Sequence, residues 1–168
     1  VGTLADVVED QFKKMLQQMG IDDVQFFPPR HSRGMPAVGP NTRYLLAQPF
    51  LADTAKQLES RGAQRIDAPF PLGERGTTQW LHAAAKAFGV TDQHFEDVVR
   101  APRQRALTAM ASHRARLQDK KVFFFPDSQL EIPLARFLHH EMGMQLCEVG
   151  TPYSVSYTHL TLPTILLV

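Results

Sequence analysis

The 168-residue chain is 43% apolar and 21% charged, enough to bury a substantial core and unlike a disordered or fibrous sequence. Its formal net charge of +1, with acidic and basic residues interspersed, gives no broad footprint for DNA, RNA or acidic lipid, so nucleic acid is disfavoured as a partner. A single cysteine, Cys147, excludes an intrachain disulfide and a multi-cysteine metal site made by this chain alone, and fits a reducing compartment.

The opening, VGTLADVVED, has no methionine and neither the basic nor the apolar region of a signal peptide, so the chain reads as an internal fragment. No apolar run reaches the roughly 18 residues that a transmembrane helix needs. Thr3 with Asp6 predicts a capping pair for a helix whose Leu4, Val8, Phe12, Met15, Leu16 and Met19 keep helical spacing until Gly20. A strand over Val24 to Phe27 follows, then a Pro-, Gly- and Arg-rich loop from Pro28 to Pro40 and a strand from Tyr44 to Ala47. Asp53 is placed to cap a helix carrying Ala55 and Leu58, ended by Gly62 before a short strand near Arg65 to Ala68.

After the loop PFPLGERG, Thr77 or Thr78 is expected to open a helix with Leu81, Ala84, Ala85 and Phe88 on one face and Gly89 at its end. Thr91 to Arg100 reads as a short helical segment. Pro102 suits the first turn of a separate, longer helix with Leu107, Met110, Ala111, Arg114 and Leu117 at helical spacing. The most informative stretch runs from Lys121 to Tyr153 and reads as one βαβ unit. Val122 to Phe125 is a short apolar run suited to a parallel strand covered on both faces, and Pro126 stops it. Asp127 and Ser128 can cap the next helix, with Leu134, Phe137, Leu138 and Met142 inward and Gly143 closing it.

This alternation predicts an α/β fold with parallel sheets flanked by helices, in two partial lobes, 1–95 and 96–153. Residues 154–168, SVSYTHLTLPTILLV, break the pattern and resemble translated sequencing-adapter DNA. They are set aside as a non-native tail, the alternative being a terminal β segment.

Several residues are candidates for chemistry. Asp127, Ser128 and Gln129 sit at the carboxyl end of a buried strand, where such folds bind ligands; helix capping and lining a cavity are compatible roles for them. The loop Pro69 to Thr78 has the glycines to cradle an anion but lacks a P-loop lysine and spacing, and no dinucleotide fingerprint occurs, so loop geometry is favoured. Cys147 is expected to pack as a small apolar side chain. His139 and His140 are adjacent on a helix and point about 100° apart, unlike a metal pair, which suits a surface or partner-facing position. Arg100, Arg103, Arg105, Arg114 and Arg116 have no interleaved aromatics and read as a solvated helix face. Arg30, His31 and Arg33 form a small basic loop, either exposed or in a subunit contact.

Four segments in order, LADVVEDQFKKMLQQMGIDDVQFFPPR, GPNTRYLLAQPFLADTA, APFPLGERGTTQWLHAAAKAFGV and KKVFFFPDSQLEIPLARFLHHEMGMQLCEVGTPY, resemble the N subunits of light-independent (dark-operative) protochlorophyllide reductases, a nitrogenase component 1-like family. The resemblance covers residues 1 to about 153. The pattern P-x-G-x-x-x-T-x-x-(aromatic)-L at Pro71 to Leu81 is shared more widely among nitrogenase-like chains.

The resemblance implies ATP-dependent reduction of the ring-D C17=C18 double bond of protochlorophyllide to chlorophyllide, in chlorophyll or bacteriochlorophyll biosynthesis. It implies an N2B2 heterotetramer with a B subunit, fed with electrons by an iron–sulfur L protein that consumes the ATP. A 4Fe–4S cluster between N and B would take three cysteines of N and one aspartate of B. Those cysteines lie upstream of the matched region and Cys147 corresponds to none of them, so this chain is expected to bind no cluster alone and to be inactive alone. Proton donation is attributed to B and the substrate, so no catalytic acid is assigned here. Phe125, Asp127, Ser128 and Gln129 are implied as substrate-cavity wall, and the setting as bacterial cytoplasm, or plastid stroma in a eukaryote. A nitrogenase-like scaffold or cofactor-assembly protein, and a two-lobed small-molecule binding module, are the competing readings.

Overall fold

The computed structural model describes residues 1–31, 34–48, 51–126 and 130–151, and the backbone of 165–167. The elements are helix α1 (Asp6–Gln18), strand β1 (Arg43–Tyr44), α2 (Ala52–Ser60), β2 (Gln64–Arg65), α3 (Gly73–Ala87), α4 (Asp92–Leu117), β3 (Lys121–Phe124), α5 (Glu131–His140), β4 (Gln145–Thr151) and β5 (Ile165–Leu167). They form two parallel sheets, β1-β2 and β3-β4-β5, as the α/β alternation predicts. Parallel neighbours need a crossover, which α2 supplies in the first sheet and α5 between β3 and β4.

The larger core is helical. Phe12 and Leu16 of α1 meet Trp80, Leu81, Ala84 and Ala85 of α3 and Phe95 and Val99 of α4. Phe12 stacks on Trp80 with ring centroids 4.7 Å apart and planes at 25°. The Trp80 indole N–H donates to the Leu46 carbonyl at 3.4 Å, which ties this core to the end of β1. A second cluster, Tyr44, Leu46, Ala55, Leu58 and Ala63, fills the space under α2.

Several element boundaries differ from the sequence expectations. Ala5, not Thr3, is the N-cap of α1 and makes no side-chain cap bond; Asp6 and Glu9 in the first turn complement the helix dipole instead. Residues 24–27 form no strand; the Phe27 carbonyl accepts from Gly2 N–H at 2.8 Å, and Val24 N–H donates to the Asp22 carbonyl at 3.0 Å. The strand expected over Tyr44 to Ala47 narrows to Arg43–Tyr44. Val1 continues that edge, donating to the Leu45 carbonyl and accepting from Ala47 N–H, each at 2.7 Å. Leu51 is the N-cap of α2, with Asp53 inside its first turn and making no cap bond.

Helix α3 begins at Gly73, ahead of Thr77 and Thr78, and α4 runs unbroken for 26 residues through Pro102. An interior proline forfeits one helical bond and costs about 3 kcal/mol. Arg103 pairs with Glu96, Nη1 to Oε2 at 3.0 Å, on the other side of the proline, and so braces the helix across it. Thr91 caps α4, its hydroxyl accepting from His94 N–H at 3.3 Å. The distal apolar positions of α4 are not core: its buried residues are Phe95 and Val99, and Leu107 is 44% exposed.

In the β3-α5-β4 unit, Val122 and Phe124 are half-buried while Phe123 and Phe125 are exposed, so β3 is covered on one face rather than two. On α5, Glu131, Pro133 and Ala135 are buried; Leu134, Phe137 and Leu138 are half-buried, and Met142 beyond the helix is buried. Cys147 is exposed, contrary to the expected apolar packing. The register steps from Val122↔Leu146 to Phe123↔Glu148, leaving Cys147 as the extra residue of a β-bulge, on the exposed side of β4 with Gln145. Within 154–168, the backbone of β5 pairs with Val149 to Thr151, and the other residues of that segment lie outside those described.

Phe12→Ala should destabilise the chain by about 3–5 kcal/mol, whereas Val7→Ala, at an exposed position of the same helix, should stay within about 0.5 kcal/mol. Urea unfolding followed by the fluorescence of Trp80, the only tryptophan, measures both.

Candidate functional site

The carboxyl end of β3 is the first candidate. Phe123 and Phe125 are 56% and 71% exposed, and their i, i+2 spacing puts both on one face of the extended chain. Pro126 follows, resting on β4 at Gly150. A Cβ at Gly150 would lie 2.8 Å from Pro126 Cδ and 3.3 Å from the Phe124 carbonyl oxygen, so only glycine permits this approach. Of the four expected wall residues the structure places Phe125; Asp127, Ser128 and Gln129 lie outside the described residues, and Leu130 is the N-cap of α5.

The junction of α3 with α5 is the second candidate. Gly73 opens α3 with a left-handed φ of 72°, and an added Cβ would collide with the Glu141 carboxylate and the Phe137 ring. Glu141 Oε2 accepts from Glu74 N–H at 2.7 Å and Oε1 from Arg75 N–H at 3.3 Å. The loop weighed above as an anion cradle thus becomes the first turn of a helix whose free N–H groups hold a carboxylate of the same chain. Arg136 of α5 donates to the Gln79 side-chain oxygen of α3 at 3.0 Å. On the α4 side, Arg103 Nε lies 3.0 Å from Glu74 Oε1, and the Thr78 hydroxyl donates to the same oxygen at 2.9 Å.

Burial shifts the ionisable groups here. It raises the Glu141 carboxyl above the ordinary 4.5, outweighing the two N–H groups that favour its charged form. It lowers the Arg136 guanidinium, with Arg75 adding repulsion, and it lowers the His140 imidazole, with Arg75, His139 and Arg136 acting the same way. The cleft between Phe70, Gly76, Phe137 and His140 encloses about 10 Å3, room for one water and far below the roughly 300 Å3 of a small-molecule site.

The other candidate residues are dispersed. Arg30 serves the fold: it donates to Glu9 Oε2 at 2.9 Å, Asp10 Oδ1 at 2.8 Å and the Asp6 carbonyl at 2.7 Å, and the Glu9 and Asp10 carboxylates hold its pKa above the usual value. His31 is exposed and Arg33 lies outside the described residues. Arg100, Arg105, Arg114 and Arg116 are exposed as expected, whereas Arg103 is half-buried in the junction. The His139 and His140 rings lie 4.9 Å apart at 60°, and His139 Nδ1 is 3.0 Å from the Met144 carbonyl. Among the described residues no group of three His, Cys, Asp or Glu side chains is arranged to hold a metal ion, and no helix is long and apolar enough to cross a membrane. With one exposed cysteine, the residues present do not fit an iron–sulfur cluster.

Neither Glu74 nor Glu141 was a candidate from the sequence, and Arg103 was expected on a solvated helix face. A signal existed for Glu141: it is the C-cap of α5, where the helix dipole disfavours an anion, so a carboxylate there calls for an outside partner.

Two parallel sheets flanked by helices define an α/β framework. The chain belongs to the family described as nitrogenase component 1 type oxidoreductase, which matches residues 4–166. It is 62% identical over 153 residues to the light-independent protochlorophyllide reductase subunit N of Rhodopseudomonas palustris (strain BisB5), covering 91% of this chain and 36% of that protein. The same subunit of Bradyrhizobium sp. (strain BTAi1) is 62% identical over the same shares, and that of Rhodospirillum rubrum is 61% identical over 91% of this chain and 35% of its own length. The chain therefore spans about a third of the length of the curated relatives it matches.

Gly73→Ala should cost more than about 2 kcal/mol, combining a left-handed alanine with displacement of Glu141, as read from the denaturant midpoint. A carboxyl whose folded pKa lies above its unfolded value binds extra protons in the native state, so its contribution to stability falls as pH rises through the window that begins at 4.5. Thermal midpoints measured across that window should fall for the wild type, and Glu141→Gln should remove this component of the slope.

Proposed function

We propose that the chain is part of the N subunit of a light-independent protochlorophyllide reductase. The observation that carries this reading is 60–62% identity along 153 residues to several subunits of that name. The scaffold and binding-module readings have no comparable support. On this reading the complete protein works with a B subunit in an N2B2 assembly, receives electrons from an ATP-consuming iron–sulfur L protein, and reduces the ring-D C17=C18 bond of protochlorophyllide in the bacterial cytoplasm. The 4Fe–4S cluster would draw its ligands from outside this chain, and it would supply the electron chemistry while the protein sets position and surroundings.

This chain's share is then framework and cavity wall. The division into lobes 1–95 and 96–153 is supported by the two separate sheets, with α4 running from one toward the other. The turn of Phe125, Asp127, Ser128 and Gln129 is proposed to line the pigment cavity. Its support is the position at the carboxyl end of a parallel strand, and the exposed Phe123 and Phe125 rings suit a flat, largely apolar tetrapyrrole. No proton donor is assigned within the chain.

The test uses the complete subunit carrying these residues, assembled with B and supplied with L, ATP and protochlorophyllide. Chlorophyllide should form and should require ATP; no product while a reference N subunit works with the same B and L would refute the reading. Phe125→Ala in that complex should raise KM for the pigment by about tenfold, near 1.4 kcal/mol of binding, and an unchanged KM would remove Phe125 from the wall.

A further inference from the structure

Beyond Val99 no residue of α4 is buried, so the helix leaves the core and runs on from Gln104 to Leu117, about 21 Å, with its side chains exposed or half-buried. One face keeps its order along this stretch. Val99, Arg103, Ala106, Met110, His113 and Leu117 recur at alternating spacings of four and three, which places them in a single seam down the helix. Val99 is buried, Ala106, Met110 and Leu117 are half-buried and His113 is exposed. Arg114, one position after the seam, and Arg116, one position before it, flank its outer part on opposite sides. A groove of about 210 Å3 lies at its end, lined by His113, Arg116, Leu117 and Lys120.

The charge on this stretch is one-sided. From Val98 to Gln118 the sequence has five arginines and no acidic residue, whereas a helix face in contact with water alone commonly mixes both signs at i, i+4. Arg100 and Arg103 find carboxylates in Asp97, Glu74 and Glu96, but Arg105, Arg114, Arg116 and Lys120 pair with none among the described residues. We propose that the outer seam of α4 is an interface for an acidic amphipathic segment of a partner subunit, with carboxylates against Arg114 and Arg116 and apolar side chains against Ala106, Met110 and Leu117. The inference rests on the reading above, in which that partner is B. Charge argues against a second copy of this chain, which would bring arginines together. Composition argues against a cover made by the same subunit: where α4 is covered by its own chain it presents Phe95 and Val99, whereas the outer part offers alanine and methionine between arginines, and Met and Arg are enriched between proteins. A lipid surface would require a broad row of large apolar side chains, which the seam does not have.

The experiment uses the complete subunit assembled with B. Arg114→Lys and Arg116→Lys keep the charge and add an amine, and a water-soluble carbodiimide then joins that amine to a touching carboxylate as an amide, with loss of water. Peptide mapping should find these lysines joined to aspartate or glutamate of B; joining only to carboxylates of the same subunit, or to none, overturns the proposal. In a second arm, Arg114→Glu with Arg116→Glu should weaken association with B about tenfold or more and remove most of its dependence on salt, while the same charge change at the exposed Lys13 and Lys14 of α1 should stay within about twofold. Equal effects of the two pairs, or no effect of the first, also overturn it. Urea unfolding followed by Trp80 fluorescence shows whether each variant is folded, and if the glutamate pair does not fold, the lysine variants alone decide. A wild-type subunit that fails to associate with B, while a reference N subunit succeeds, refutes the functional reading and the proposal with it, and that result precedes any substitution.

Discussion

Burial of Trp80 between α1, α4 and the end of β1 is the constraint on which the other contacts depend. The indole brings together a stacked phenyl ring from α1 and a carbonyl from the first sheet, and it orients α3 so that Leu81, Ala84 and Ala85 face the core. Small residues at 84 and 85 allow close helix approach, and the large ring at 80 fills the remaining space. Once α3 is set, its first turn is in place to receive Glu141, and α5 is set in turn.

The ion pairs act within that framework instead of creating it. Exposed pairs such as Arg100 with Asp97 contribute little beside each fully buried large apolar side chain, worth about 1.5–3 kcal/mol. Their value is directional. Arg30 joins the loop after Phe27 to the first turns of α1, and Arg103 braces α4 across Pro102 while holding Glu74. Hydrophobic burial sets how firmly the helices associate, and the charged groups set which face and which end they present.

On the proposed reading, the chain supplies shape more than reactive groups. The polar junction of α3 and α5 is internally satisfied and encloses too little space for a pigment, whereas the carboxyl edge of β3 presents exposed aromatic rings.

By itself the sequence determined the alternation of helices and parallel strands, because helical spacing of apolar residues, glycine stops and short β-rich runs are local signals. The glycines at 20, 62, 89 and 143 mark helix ends with left-handed φ as their positions suggest. Family membership was equally legible from ordered motifs. Tertiary structure alone decided what depends on distant partners: that α3 starts at Gly73, where Glu141 from another element accepts from its first N–H groups, and that α4, packed on α3 through Phe95 and Val99, continues through Pro102. It also decided that Cys147 is exposed, on the same side of β4 as Gln145, and that it stands opposite no residue of β3. Such features arise from pairings across dozens of residues, and local propensity carries no information about which carboxylate or which strand will arrive.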